Sequence, residues 1–192
     1  WRLNDPARSL YFGGGTPSLW DTEWLAMVID AVRKSPGLRE DAEITLEANP
    51  VDISKASCQG WREIGINRLS LGVQSFDTKA LQDVDRRHTG EMAFASIATA
   101  QEAGFDNFSV DLMFGLPGQS ERAWHWELEQ LVALKPPHVS VYGLTVEEKT
   151  PLYGLVKRGK VVLPDDALSH RMFFLTHDLL REHGYVHYEV SA

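Results

Sequence analysis

Cysteine is nearly absent from this 192-residue chain; Cys58 is the only one. One thiol excludes an internal disulfide framework and any Cys-based metal cage within the chain. It also fits a reducing compartment, which points to a cytoplasmic location. Long apolar runs are missing too. Stretches such as Phe173-Phe174-Leu175 are far too short to form a transmembrane segment, and no secretory signal opens the sequence. Cations are scarce: 19 Lys+Arg stand against 27 Asp+Glu, a net charge of −8. General nucleic-acid binding, which needs a broad basic surface, is therefore not expected. The first residue is Trp1 rather than Met, so the chain reads as a piece of something longer.

With 43% hydrophobic and 24% charged residues, the chain has enough apolar surface for one sizeable core. Its rhythm is a short apolar run, a polar or Gly-rich turn, then an amphipathic helix. The runs Ser9–Phe12, Glu43–Glu47, Asn67–Gln74, Asn107–Phe114 and His138–Leu144 read as strands, and Tyr185–Val190 as a final one. Helices are predicted over Asp21–Lys34, Ser54–Ile64, Glu91–Ala103 and Asp165–His183, and after the N-cap Ser120. Leu25, Val28, Ile29 and Val32 make one apolar stripe in the first of these. Lys135-Pro136-Pro137 should stop the helix after Ser120, because proline lacks the amide donor and disfavours helix before it. Such alternation means an α/β fold with a mostly parallel sheet. An open doubly wound sheet and a (β/α) barrel both satisfy it.

In parallel α/β folds, ligands sit at the carboxyl ends of the strands. Polar residues collect there. Gly13-Gly14-Gly15-Thr16-Pro17 follows the first run, Glu47 ends the second, and Gln74 ends the third. Asp111 lies between Val110 and Leu112, where an unpaired charge would be costly, and Thr145 follows the fifth run. Each has an ordinary structural reading as a tight turn, a solvated strand end, a cap or a fold-holding ion pair. Arg86-Arg87-His88 read by itself is a solvated charge run. Their coincidence at strand ends is what points to a pocket. The Gly-rich turn lacks the Lys-Ser/Thr of a phosphate loop and the Gly-x-Gly-x-x-Gly of dinucleotide folds. His170, His177, His183 and His187 show no spacing that makes a metal site, and no catalytic residue set of the Ser-His-Asp or Cys-His kind is visible. Cys58 reads as a small core residue, Trp124 as part of an apolar stripe and Trp126 as partly exposed.

Four blocks, in order, resemble radical S-adenosylmethionine (SAM) proteins. They are Tyr11-Phe12-Gly13-Gly14-Gly15-Thr16-Pro17-Ser18, Ile44-Thr45-Leu46-Glu47-Ala48-Asn49-Pro50, Asn67-Arg68-Leu69-Ser70-Leu71-Gly72-Val73-Gln74-Ser75-Phe76 and Val110-Asp111-Leu112-Met113-Phe114-Gly115-Leu116-Pro117-Gly118-Gln119. Together they are similar to the oxygen-independent coproporphyrinogen III oxidase family over nearly the whole chain. The Arg86-Arg87-His88-Thr89 stretch and Tyr188-Glu189-Val190-Ser191 lean towards its haem chaperone branch.

The resemblance implies a partial (β/α) barrel, spanning 1–192 as one partial core domain and incomplete at its N-terminus. It implies S-adenosyl-L-methionine as cofactor. Gly14, Gly15 and Thr16 would receive the amino group of SAM, Arg86 would pair with its carboxylate, and Glu47 would accept from the ribose hydroxyls. Gln74, Asp111 and Thr145 would complete the pocket. It implies a [4Fe-4S] cluster held by a Cys-x-x-x-Cys-x-x-Cys loop, whose ligands this chain lacks, so no radical chemistry is expected from the chain alone. Haem or a porphyrinogen, and haem-acceptor proteins, are the implied partners. Haem delivery is the leading reading, and oxidative decarboxylation of porphyrinogen propionates the second. Independently of the resemblance, a (β/α) enzyme for a phosphorylated metabolite and a catalytically dead interaction module stay open.

Overall fold

The computed structural model describes residues 5–190. Five strands and seven α-helices follow one another as β1 (Ala7–Phe12), α1 (Thr22–Lys34), β2 (Leu38–Ala48), α2 (Lys55–Glu63), β3 (Arg68–Gln74), α3 (Thr78–Asp83), α4 (Gly90–Glu102), β4 (Phe108–Phe114), α5 (Glu121–Leu134), β5 (His138–Gly143), α6 (Pro151–Lys157) and α7 (Asp166–Glu182). Strand order in the sheet is β1-β2-β3-β4-β5, and the β1–β2 and β2–β3 pairs are parallel. The expected strands are therefore neighbours in sequence order, joined by helices. The chain divides into two compact units, Trp1–Gly72 with Phe94–Ser109, and Val73–Ala93 with Val110–Ala192.

In the first unit, β2 buries Ile44, Thr45 and Leu46 in succession. Burial on both faces is what a parallel strand under helices requires. Asn67 fixes the entry to β3: its Oδ1 accepts from Ile44 N–H at 2.8 Å and its Nδ2 donates to Ala42 C=O at 2.9 Å. Helix α2 starts at a Ser54–Ser57 capping box and buries Cys58 and Trp61. Helix α1 buries Leu25 and Ile29, but Val28 is 37% exposed beside Trp24 and Met27. The stripe is thus narrower than its spacing predicts.

The second unit packs α5 against α7. Trp124 is fully buried, and its Nε1 donates to Thr176 Oγ1 at 2.9 Å. Ser120 caps α5 through Ala123 N–H, and Lys135 ends it in the left-handed region ahead of the two prolines.

One expectation needs correction. Tyr185–Val190 forms no strand. Side chains hold this segment instead of a backbone ladder: Tyr185 OH donates to Pro136 C=O at 2.7 Å, and Tyr188 OH lies 2.6 Å from His138 Nε2. Ser191, the last residue of the motif cited above, lies outside the described residues. Beyond β5, Thr150 caps α6, and Pro151 occupies its first helical position. Among the described residues, no helix is long and apolar enough to cross a membrane.

Candidate functional site

In the first unit, Phe12 pairs with Leu46, so the chain enters the glycine turn level with Glu47 near the end of β2. Tyr11 OH donates to Glu47 Oε1 and Gly14 N–H donates to Oε2, both at 2.9 Å. The glycines differ in purpose. A Cβ on Gly13 would fall 2.7 Å from Tyr11 Cε1 and 2.9 Å from Glu47 Oε1, so Gly13 serves close packing. Gly14 and Gly15 sit at φ 84° and 62°, a backbone conformation that side chains disfavour, with open space where their Cβ atoms would be. Thr16 precedes the short 3-10 turn Pro17–Leu19 without capping it through its side chain.

In the second unit, Gln74 ends β3 at φ 66°. Ser75 N–H donates back to Val73 C=O at 2.8 Å, closing a three-residue turn with Gln74 at its centre. Behind that turn stands Glu127 of α5, only 2% exposed. Its Oε2 accepts from Phe76 N–H at 2.7 Å, and its Oε1 accepts from Ser75 O–H. Burial pushes its carboxyl up to about 6, partly offset by these two hydrogen bonds. The Arg86–His88 stretch is no solvated charge run. His88 is 3% exposed, and its Nε2 lies 2.7 Å from Val73 C=O. A carbonyl only accepts, so Nε2 carries the proton; burial lowers the pKa and keeps the ring neutral. Arg86 is half-buried. Burial pulls its pKa down, and among the described residues no carboxylate offsets that shift.

Asp111 is half-buried between buried Val110 and Leu112 and is not left without a partner. Thr145 is exposed beyond β5. The turn after β4 is braced by buried Gln119, whose Oε1 accepts from Gly115 N–H at 2.8 Å and Leu116 N–H at 3.2 Å.

The structure thus joins Gly14 to Glu47 directly, and gathers Gln74 and the Arg86–His88 stretch around the end of β3. Sequence reading missed Glu127 and Gln119. A signal existed for the first: Glu127 falls three residues after Trp124 and four before Leu131, on the apolar stripe of α5. Among the described residues, no group of three or more His, Cys, Asp or Glu could hold a metal ion, and Cys58 is buried alone on α2. The residues present therefore do not fit an iron–sulfur cluster.

A family model described as the Radical SAM superfamily matches residues 2–131. Among similar proteins, heme chaperone HemW of Escherichia coli (strain K12) is 40% identical over 185 residues, 96% of this chain and 48% of that protein. The radical S-adenosyl methionine domain-containing protein 1, mitochondrial, of Danio rerio is 39% identical over 183 residues, 95% of this chain and 41% of that protein. The solved structure of coproporphyrinogen III oxidase (HemN) from Escherichia coli superposes with a TM-score of 0.79 at 29% identity, over 93% of this chain and 41% of that one. The fold is therefore a partial (β/α) barrel of that type. The chain spans less than half the length of these relatives.

Proposed function

Because this chain belongs to the radical SAM superfamily, we propose that it is the SAM-binding core of a haem chaperone of the HemW kind. The observation that carries the SAM reading is Arg86, a half-buried guanidinium whose desolvation no carboxylate among the described residues offsets. An arginine in that state favours an incoming carboxylate, whose two oxygens match its fork. Glu47 is suited to a ribose diol. Its two oxygens have taken one hydrogen bond each from the protein, and a carboxylate has about four acceptor positions. Gly14, Gly15 and Thr16 take the amino end of SAM, and Gln74, Asp111 and Thr145 complete the binding set. When bound beside a [4Fe-4S] cluster, SAM supplies one-electron chemistry. The ligands of that cluster are not in this chain, and its own residues only bind and orient. Haem as cargo, acceptor proteins as partners and a cytoplasmic location belong to the same proposal. It draws on the 40% identity to HemW, as against 29% to HemN. The HemN structure supports porphyrinogen oxidation as the second reading.

The test is an NMR titration of the isotope-labelled chain with SAM. Charged hydrogen bonds contribute roughly 1.5–3 kcal/mol each, against an estimated 4–15 kcal/mol for immobilising a ligand. We expect a dissociation constant of roughly millimolar to high micromolar. Shifts should fall on the Gly14–Thr16 amides and around Gln74 and Arg86, and Arg86→Ala should weaken binding about tenfold or more, as expected for losing a charged contact. Saturable shifts elsewhere, or an unchanged affinity in Arg86→Ala, would overturn the assignment. Titrating haem and a porphyrinogen into a protein of the relatives' full length then separates the two readings.

A further inference from the structure

We propose that Glu127, which the family assignment leaves without a role, is a positioning residue that holds Gln74 in its SAM-competent conformation. The inference rests on the SAM reading above. Gln74 sits in the left-handed region at the centre of a three-residue turn, at φ 66° with Ser75 N–H on Val73 C=O. That type of turn is rare and strained for a residue with a side chain. Strained backbone persists only where its surroundings over-determine it, and it clusters at ligand sites.

The surroundings here converge on one carboxylate. Glu127 takes the two donors that follow Gln74, the Ser75 hydroxyl and the Phe76 amide. Ser75 Oγ in turn accepts from Asp77 N–H at 2.9 Å, so three consecutive residues are chained to Glu127. Two further braces close the other side. His88 Nε2 shares Val73 C=O with Ser75, and Gly90 lies so near Phe76 that a Cβ on it would come within 1.9 Å of the Phe76 carbonyl oxygen. A buried carboxylate is an expensive way to satisfy a turn, since an isolated buried charge is strongly disfavoured. Two converging acceptor oxygens on one rigid helical residue give what an apolar side chain could not, a fixed direction for the backbone at Ser75 and Phe76.

The test compares Glu127→Leu, Glu127→Gln, Ser75→Ala and Arg86→Ala in the SAM titration, with amide exchange at Phe76 and Asp77 read in parallel. Glu127→Leu should weaken SAM binding at least tenfold and expose both amides. Glu127→Gln should recover most of that loss, because its carbonyl can take the Phe76 amide and its amide nitrogen can donate to Ser75 Oγ. Ser75→Ala, the smaller change should the leucine variant not fold, should give an intermediate loss. Normal SAM binding in Glu127→Leu or Ser75→Ala, with binding lost in Arg86→Ala, overturns the positioning role and leaves the pocket standing. A glutamine variant as weak as the leucine one also overturns it, since charge rather than geometry would then matter. Normal binding in Arg86→Ala overturns the pocket reading itself.

Discussion

Glu47 and Glu127 perform the same local task in the two units, and their surroundings make them different tools. Each uses both carboxylate oxygens to gather one hydroxyl and one backbone amide beside a strand end. Glu47 does so with exposed donors, Tyr11 and Gly14. Water can replace either of them, and its spare acceptor capacity remains usable by a ligand. Glu127 does so in the core, where water cannot take its place and its carboxyl rises to about 6. The same residue type keeps acceptor capacity within reach of solvent in one setting and holds core donors in the other. What decides between them is the cost of leaving a donor unpaired, which is large only where water is excluded.

Alanine at each position breaks or sharpens that contrast, and this is the largest effect expected. Glu127→Ala removes the carboxylate that accepts from the Phe76 amide and Ser75 hydroxyl in the core and opens a cavity, for a loss of about 3 kcal/mol. Glu47→Ala lets water take both donors and should cost about 1 kcal/mol or less. Urea denaturation of the two variants checks this. Equal losses would mean that burial is not what distinguishes the two carboxylates.

Acidity sharpens the comparison further. The carboxyl of Glu127 is raised from its ordinary 4.5 to about 6, so the folded chain binds this proton more tightly than the unfolded one. The associated stability is full below about pH 4.5 and lost as pH rises through about 6, a total of about 2 kcal/mol. Glu127→Gln cannot titrate. Its stability relative to the parent chain should therefore increase by about that amount between pH 4.5 and 7.5. Urea midpoints at four pH values across this range give the result, and parallel curves for the two proteins would refute it.

Much of this arrangement was legible before the structure, and the exceptions share a cause. The inner strands announced themselves as short, mostly apolar runs, and Ile44-Thr45-Leu46 and Leu69-Ser70-Leu71 are buried on both faces, as a parallel strand under helices requires. Helix starts at Ser54, Ser120 and Asp165 were legible because their side chains accept from the first-turn amides. The glycine turn, Glu47, Gln74 and Asp111 were legible as polar residues at apolar strands. Glu127 was overlooked despite its place on the apolar stripe of α5, because a lone carboxylate within a helix ordinarily faces water; its partners at Ser75 and Phe76 account for its burial. Tyr185–Val190 misled for the opposite reason. Its alternation suits a strand, but tyrosine and histidine side chains anchor it, and composition does not tell a ladder from a strap.

The smallest effect expected is also the one that tests whether the strain at Gln74 has a use. A residue with a side chain held at φ 66° carries roughly 1–3 kcal/mol of strain, which glycine would relieve. Glycine also adds freedom to the unfolded chain, at a cost of about 0.5–1 kcal/mol. Gln74→Gly should thus leave stability unchanged or raise it by about 1 kcal/mol. The Ser75 amide would still close the turn on Val73 C=O, and Glu127 would still hold Ser75 and Phe76. Only the glutamine side chain would be gone. If that side chain belongs to the SAM site, the variant should be at least as stable as the parent chain and yet bind SAM more weakly. Thermal unfolding and the SAM titration, run on the same preparation, decide between the two outcomes. A variant that is stabilised and binds SAM as well as the parent would show that the strained turn serves the fold alone.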